Sequence, residues 1–327
     1  MTRIAILYTG GTIGMVQGAH GLEPSAGLEQ HLQPLLPEGL SADWYSAEPL
    51  IDSSALTLAD WQRWLAEIRT LLPRYDGLLL LHGTDTLAYS ANLLAFALPA
   101  LDKPLVITGA QWPFGTPDGD AEPNLHTALA TFALPGLRHV VVAFNGALYR
   151  AVGSSKVSTE TAAGFDTPHF PPLGRRLPEN GWQDVQLNTL PAALTAAEPQ
   201  LDTAVRIVCH TLTPGANCAM IAHSLQHFPA DGVVLESYGH GNAPADPALL
   251  QAIGALSARG VPVLNISQVA QGCAAAVYAQ GDALRQSGAI SGGKANRETA
   301  VALLTLAAAN GWDSTEIQAR LRHWQLL

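Results

Sequence analysis

Cysteine is scarce in this chain. Cys209, Cys218 and Cys273 are the only three in 327 residues, and they are widely spaced. An odd, scattered set excludes a disulfide framework and suits a reducing compartment. Charge is scarce too: charged residues make up 13% of the chain against 48% hydrophobic ones. That balance excludes a disordered chain and fits a well-packed globular one. Basic residues are outnumbered, 17 Lys and Arg against 27 Asp and Glu, giving a formal net charge of −10. The broad basic footprint of a nucleic-acid surface is therefore missing. No apolar run reaches the roughly 20 residues of a membrane span. Met1-Thr2-Arg3 leads straight into a short apolar strand, unlike a signal peptide. A cytoplasmic protein is expected, with neither nucleic acid nor membrane as a partner.

Familiar binding motifs are also absent. There is no C-x-x-C and no H-E-x-x-H. His223 and His227 stand four residues apart on an expected helix, but no clustered carboxylates accompany them, so no metal is expected. Gly10-Gly11-Thr12-Ile13-Gly14 reads G-G-x-x-G, not the dinucleotide spacing G-x-G-x-x-G. No Gly-Lys-Ser or Gly-Lys-Thr follows it, which excludes a P-loop.

What is present is alternation. Arg3–Tyr8, Gly77–Leu81, Pro104–Ile107 and His139–Phe144 read as strands. Leu58–Leu72, Thr86–Leu98 and Asn124–Leu134 read as helices between them, and the polar stretch Val16–Gly27 reads as a loop. The uninterrupted apolar run Gly77–Leu81 is the pattern of a sheet covered on both faces. The order predicts an α/β fold with a mostly parallel sheet. At this length two domains are the default. Residues 186–204, with Leu190-Pro191-Ala192-Ala193 and Ala197-Glu198-Pro199-Gln200, read as an extended connector. The expectation is a larger α/β domain over 1–185 and a smaller α/β domain over 205–327. The second carries strands at Val205–His210, Gly232–Leu235 and Pro262–Ile266. Its helices fall at Ala216–Gln226, Pro247–Ala258, Arg297–Ala309 and Ser314–Trp324.

Two Thr-rich turns stand directly after strands. One is Thr9-Gly10-Gly11-Thr12-Ile13-Gly14-Met15, the other His82-Gly83-Thr84-Asp85-Thr86. The plainest reading of the first is a tight turn that needs glycine. The plainest reading of the second is a helix cap by Thr84 or Asp85. Ligands of open α/β sheets bind outside the carboxyl ends of strands, where both turns lie. Two hydroxyls and a carboxylate in that position can also be a nucleophilic site. A carboxylate beside a helix N-terminus stays ionised and can hold a substrate ammonium.

In order and separation these two motifs resemble the signatures of the bacterial-type L-asparaginase family. The likeness extends to Ile51-Asp52-Ser53-Ser54, Ile107-Thr108-Gly109-Ala110-Gln111, Asp118-Gly119-Asp120, Leu148-Tyr149-Arg150, Ser154-Ser155-Lys156, Gly164-Phe165-Asp166 and Ser237-Tyr238-Gly239-His240-Gly241-Asn242. It spans nearly the whole chain and is most similar to the cytoplasmic type I branch. The resemblance implies a two-step hydrolysis of an amino-acid amide, L-asparagine to L-aspartate and ammonia, without a cofactor. Thr12 would attack the amide carbon and form an acyl-enzyme. Thr84, Asp85 and Lys156 would form a second catalytic group. Ser53, Ser54 and Asp85 would hold the α-carboxylate and α-ammonium. Asn242 and Glu298 would reach a neighbour's site in a homodimer or homotetramer. For Lys156 the plainest reading is a surface charge, and for Glu298 a first-turn helix carboxylate.

One position departs from the family pattern. Relatives carry a loop Tyr that helps activate the nucleophile, and the matching place in His20-Gly21-Leu22-Glu23-Pro24 is Leu22. Leucine transfers no proton. Tyr8, His20 or Glu23 would have to substitute, or the protein acts on a different amide, or it is a weakened hydrolase that binds an amino acid. Glutaminase or dual glutaminase–asparaginase activity is the nearest enzymatic alternative, because one methylene is worth only ~1–3 kcal/mol of discrimination.

Overall fold

The computed structural model describes all residues except 19–20, 25–26, 195–196 and 276–278, and the side chains of 17–18, 22–24 and 279–281. The chain divides into two compact units, Met1–Glu198 and Pro199–Leu327.

The first unit runs β1 (Thr2–Gly10), β2 (Met15–Gly18), β3 (Gly21–Pro24), α1 (Leu28–Leu32), β4 (Leu40–Ile51), α2 (Leu58–Leu71), β5 (Gly77–Leu81) and α3 (Leu87–Ala97). It continues with β6 (Leu105–Thr108), α4 (Ala121–Thr131), β7 (Val140–Phe144), β8 (Ala147–Arg150), β9 (Ser155–Lys156), β10 (Phe165–Asp166), β11 (Gly174–Leu177) and β12 (Gly181–Gln183). Eight strands form one sheet in the order β12-β11-β8-β7-β6-β5-β1-β4. The five strands from β4 to β7 are parallel, and β8, β11 and β12 add an antiparallel end.

The local chemistry explains the elements. All five residues of β5 are buried, as an apolar strand between two helical layers must be. Helix α2 opens on a capping box: Thr57 and Asp60 each accept the other's backbone N–H. Trp61, Trp64, Leu65 and Ile68 are its buried face. Helix α3 is buried almost all round, as its composition LAYSANLLAFA requires. The core of this sheet includes Ile4, Ile6, Leu79, Leu81, Val106, Leu125 and Val141. Each such side chain contributes about 1.5–3 kcal/mol by leaving water.

Three differences from the sequence reading stand out. Helix α4 spans Ala121–Thr131, three residues earlier at each end than the expected 124–134. The stretch read as a loop after β1 contains the antiparallel pair β2 and β3. Strand β4 was not read from the sequence: it is a half-exposed edge whose Leu40, Ala42 and Trp44 pack on the core, but Asp43, Glu48 and Pro49 interrupt its apolar pattern.

The second unit holds β13 (Ile207–Thr211), α5 (Asn217–His227), β14 (Gly232–Ser237), α6 (Pro247–Ala258), β15 (Val263–Ser267), α7 (Ala279–Gln286), β16 (Ile290–Ser291), α8 (Arg297–Asn310) and α9 (Ser314–His323). Its four strands are parallel and follow sequence order, β13-β14-β15-β16. Leu225, Val233, Leu235, Leu249 and Ile253 are among its core residues.

Candidate active site

The first sheet changes direction at β1. The chain leaves β1 for β4 on one side, crosses to β5 on the other, and then moves outward to β6 and β7. The ends of β1 and β5 therefore flank the point where connections diverge, the position where ligands of open α/β sheets bind. Both Thr turns sit at that point.

Glycine makes their approach possible. A Cβ on Gly11 would lie 2.3 Å from the Gly83 Cα and 2.4 Å from its nitrogen. A Cβ on Gly83 would lie 2.5 Å from Ser53 Oγ. The residues after these glycines are Thr12 and Thr84, so backbone contact brings the two hydroxyl-bearing turns side by side. Thr9 Oγ1 donates to the Leu81 carbonyl at 2.9 Å and His82 N to the Thr108 carbonyl at 2.9 Å, locking the strand ends together.

Thr12 opens a single 3-10 turn, Thr12–Gly14, and is half-buried. Thr84 is buried at 6% exposure, while Asp85 is open to solvent. Lys156 reaches both from β9: its Nζ donates to Thr84 Oγ1 at 2.8 Å and to Asp85 Oδ1 at 2.8 Å. The Lys156 side chain is 15% exposed and that of Asp85 56%. Lys156 is thus a mostly buried, paired cation and not a free surface charge. Ser53 is buried, and its carbonyl accepts the Thr86 hydroxyl at 2.9 Å. Ser54 is exposed, with its N–H on Asp52 Oδ1. The first unit therefore gathers Ser53, Thr84, Asp85 and Lys156 around the turn that bears Thr12.

Asn242 and Glu298 belong to the second unit. Asn242 closes a turn with Tyr238, its N–H bonded to the Tyr238 carbonyl at 2.8 Å. Glu298 lies in the first turn of α8, which Asn296 caps. The Leu22 backbone pairs with Gln17 in the β2–β3 ladder. Its side chain, that of Glu23, and all of His20 lie outside the described residues. Tyr8 is fully buried with its hydroxyl against Gly14, where an added Cβ would come within 2.1 Å of it. Burial pushes its phenol up to about 12, so it keeps its proton and no phenolate is present to act as a base.

His82 supports the second turn from beneath. It is completely buried, and that burial lowers its pKa to about 4. The neutral ring pairs Nδ1 with the Gly83 carbonyl at 2.7 Å and Nε2 with Ser90 Oγ at 2.7 Å, and Trp61 Nε1 donates to the same Ser90 hydroxyl. Sequence reasoning missed the supports behind Lys156. Asn92 and Gln111 each bond backbone groups of the segment that carries it. Asn92 was detectable as the one amide inside the apolar helix α3.

Among the described residues no group of three or more His, Cys, Asp or Glu side chains could hold a metal ion. No described helix is long and apolar enough to cross a membrane. His223 and His227 are exposed on α5 with stacked rings, centroids 4.0 Å apart.

The family model for the asparaginase N-terminal domain matches residues 3–193. That for the glutaminase/asparaginase C-terminal domain matches 206–321. The chain belongs to the asparaginase family. It is 36% identical to L-asparaginase 1 of Escherichia coli, over 88% of this chain and 86% of that one. The structure of L-asparaginase I from Vibrio cholerae is similar at a TM-score of 0.84 and 32% identity, covering 98% of this chain and 97% of the other. The thermostable L-asparaginase of Thermococcus kodakarensis gives a TM-score of 0.83 at 28% identity, over 97% of this chain and 96% of that one. This asparaginase-family chain thus shares one architecture with its relatives across both units.

Proposed function

We propose that this chain is an amidohydrolase that converts L-asparagine to L-aspartate and ammonia. The observation that carries the reading is the Lys156 ammonium, 2.8 Å from both the Thr84 hydroxyl and the Asp85 carboxylate, beside the turn that bears Thr12. That its relatives are named L-asparaginases supports the choice of substrate.

Thr12 Oγ attacks the side-chain amide carbon, and the carbonyl oxygen becomes an oxyanion. The C–N bond then breaks, ammonia leaves with a proton, and an aspartyl ester on Thr12 remains. Water cleaves that ester and returns the proton to Thr12. A hydroxyl is a weak nucleophile at its own pKa and needs a nearby base or relay. Thr84 and Lys156 are at proton-transfer distance from each other and fill that role. Backbone N–H groups of the second turn are the donors for the oxyanion. Asp85 holds the α-ammonium, and Ser53 and Ser54 hold the α-carboxylate. In the same reading the protein works in the cytoplasm, where its three free cysteines stay reduced. It works there as a homodimer or homotetramer, with Asn242 and Glu298 lent to a neighbour's site.

The test is ammonia release by the purified protein. Asparagine is the better substrate, and Thr12→Ala or Thr84→Ala lowers turnover by more than about 10³-fold. Faster release from glutamine would overturn the substrate. Wild-type rates in either variant would overturn the mechanism.

A further inference from the structure

Lys156 stands on a strand of only two residues, β9, yet its ammonium must meet a hydroxyl that lies far away in sequence. Something has to fix that distance. Downstream, β9 pairs with β10, Lys156 opposite Phe165, and the Val157 N–H bonds the Gly164 carbonyl at 2.8 Å. Upstream, the chain turns through Gly153 and Ser154, and there the fixed point is a side chain of α3. Asn92 is completely buried, as is Ser154. Its Oδ1 accepts the Gly153 N–H at 3.0 Å. Its Nδ2 donates to the Ala88 carbonyl at 2.8 Å and to the Ser154 carbonyl at 3.3 Å. One amide therefore holds both sides of the turn and ties itself to its own helix. That helix begins at Leu87, immediately after Thr84-Asp85-Thr86. Thr84, three residues before α3 begins, and Lys156, two residues beyond Ser154, are thus referred to one rigid element.

We propose that Asn92 is a positioning residue that sets Lys156 on Thr84, acting through the Gly153–Ser154 turn. It does not touch substrate. The proposal deepens the hydrolase reading above, on which its kinetic readouts rest. The amide is matched to the task because it donates and accepts at once. Leucine has a similar volume and does neither. An ionised carboxylate accepts only, whereas a protonated one recovers a donor.

Asn92→Leu and Asn92→Asp are compared with wild type in steady-state ammonia release from asparagine. Displacing Lys156 lowers kcat by about 10–100-fold while KM stays within about twofold, as misplacement of a group by ~1 Å does. The ratio of Asn92→Asp to wild-type kcat rises as pH falls, because protonation restores a donor toward Ser154. The same ratio for Asn92→Leu stays flat. A second readout needs no turnover. The chain has three lysines, Lys103, Lys156 and Lys294. NMR of protein labelled at lysine therefore shows three side-chain signals, with Lys156 assigned by its loss in Lys156→Met. In either Asn92 variant the Lys156 signal moves toward that of free lysine, and those of Lys103 and Lys294 do not. Wild-type kcat in Asn92→Leu, or equal movement of all three signals, overturns the proposal. If Asn92→Leu fails to fold, Asn92→Asp decides. If wild type releases no ammonia at all, the hydrolase reading fails, and the lysine spectrum still decides whether Asn92 places Lys156.

Discussion

The first sheet reverses its direction of growth at β1, whereas the second lays down β13 to β16 in sequence order. The second sheet is wholly parallel, the first is parallel from β4 to β7, and in both the parallel strands lead into polar residues. The polar groups are used differently. At the ends of the second sheet Thr211 and Arg297 bind the Glu236 carboxylate, Ser237 Oγ bonds the Ile266 carbonyl at 3.1 Å, and Ser267 Oγ bonds the Gly239 carbonyl at 2.6 Å. These contacts join neighbouring strands and loops and hold the unit together. At the reversal in the first sheet the two turns meet backbone to backbone through Gly11 and Gly83, and polar side chains gather beside that contact. Thr84, Lys156 and Asp85 there run from buried to exposed. Topology, more than composition, decides which strand ends become a site.

The sharpest way to break this comparison is to push the two loops apart. Gly83→Ala inserts a methyl group 2.5 Å from Ser53 Oγ and 3.1 Å from Gly11 Cα. The turns must separate, and asparagine turnover falls by about 10²-fold or more. Undiminished kcat in that variant would show that the Gly11–Gly83 contact does not set the site. The next effect is on stability. His82 takes a proton near pH 6.5 when unfolded and near 4 when folded. Between those values the unfolded chain binds more protons, so stability is full above 6.5 and declines as pH falls toward 4. At 1.36 kcal/mol per unit the loss from this group is about 3 kcal/mol. Urea melts across that window show a shallower pH dependence in His82→Asn than in wild type. The smallest effect is expected in the second sheet. Thr211→Val removes one hydrogen bond to Glu236 and costs about 1 kcal/mol by thermal denaturation. It leaves kcat within about twofold, since that bond holds the fold and not the reaction.

The sequence made some of this legible and not the rest, for physical reasons. The strand Gly77–Leu81 and the helix Pro247–Ala258 have the expected bounds because a buried apolar run and an Asp-Pro helix start are local signals. Strand β4 escaped notice because its short apolar alternation, Leu40, Ala42 and Trp44, is broken by the charged and proline residues of an exposed edge. Strands β8 to β12 are only two to four residues long, too short to carry a periodic apolar signal. The two Thr turns were visible as motifs at strand ends. Their contact was not, because it depends on the missing Cβ atoms of Gly11 and Gly83 meeting in space. Asn92 was one polar letter in an apolar helix, and only the fold shows what its amide holds. Leu22 remains the position where the chain departs from its family's pattern.

The central claim is that Thr12 carries the acyl group while Thr84 and Lys156 serve it. Rapid acid quenching during turnover of asparagine, followed by mass spectrometry of the peptides, reads this directly. An aspartyl ester on the peptide bearing Thr12, absent in Thr12→Ala, is the predicted result. The same ester on Thr84, or turnover with no ester on either threonine, would contradict the account.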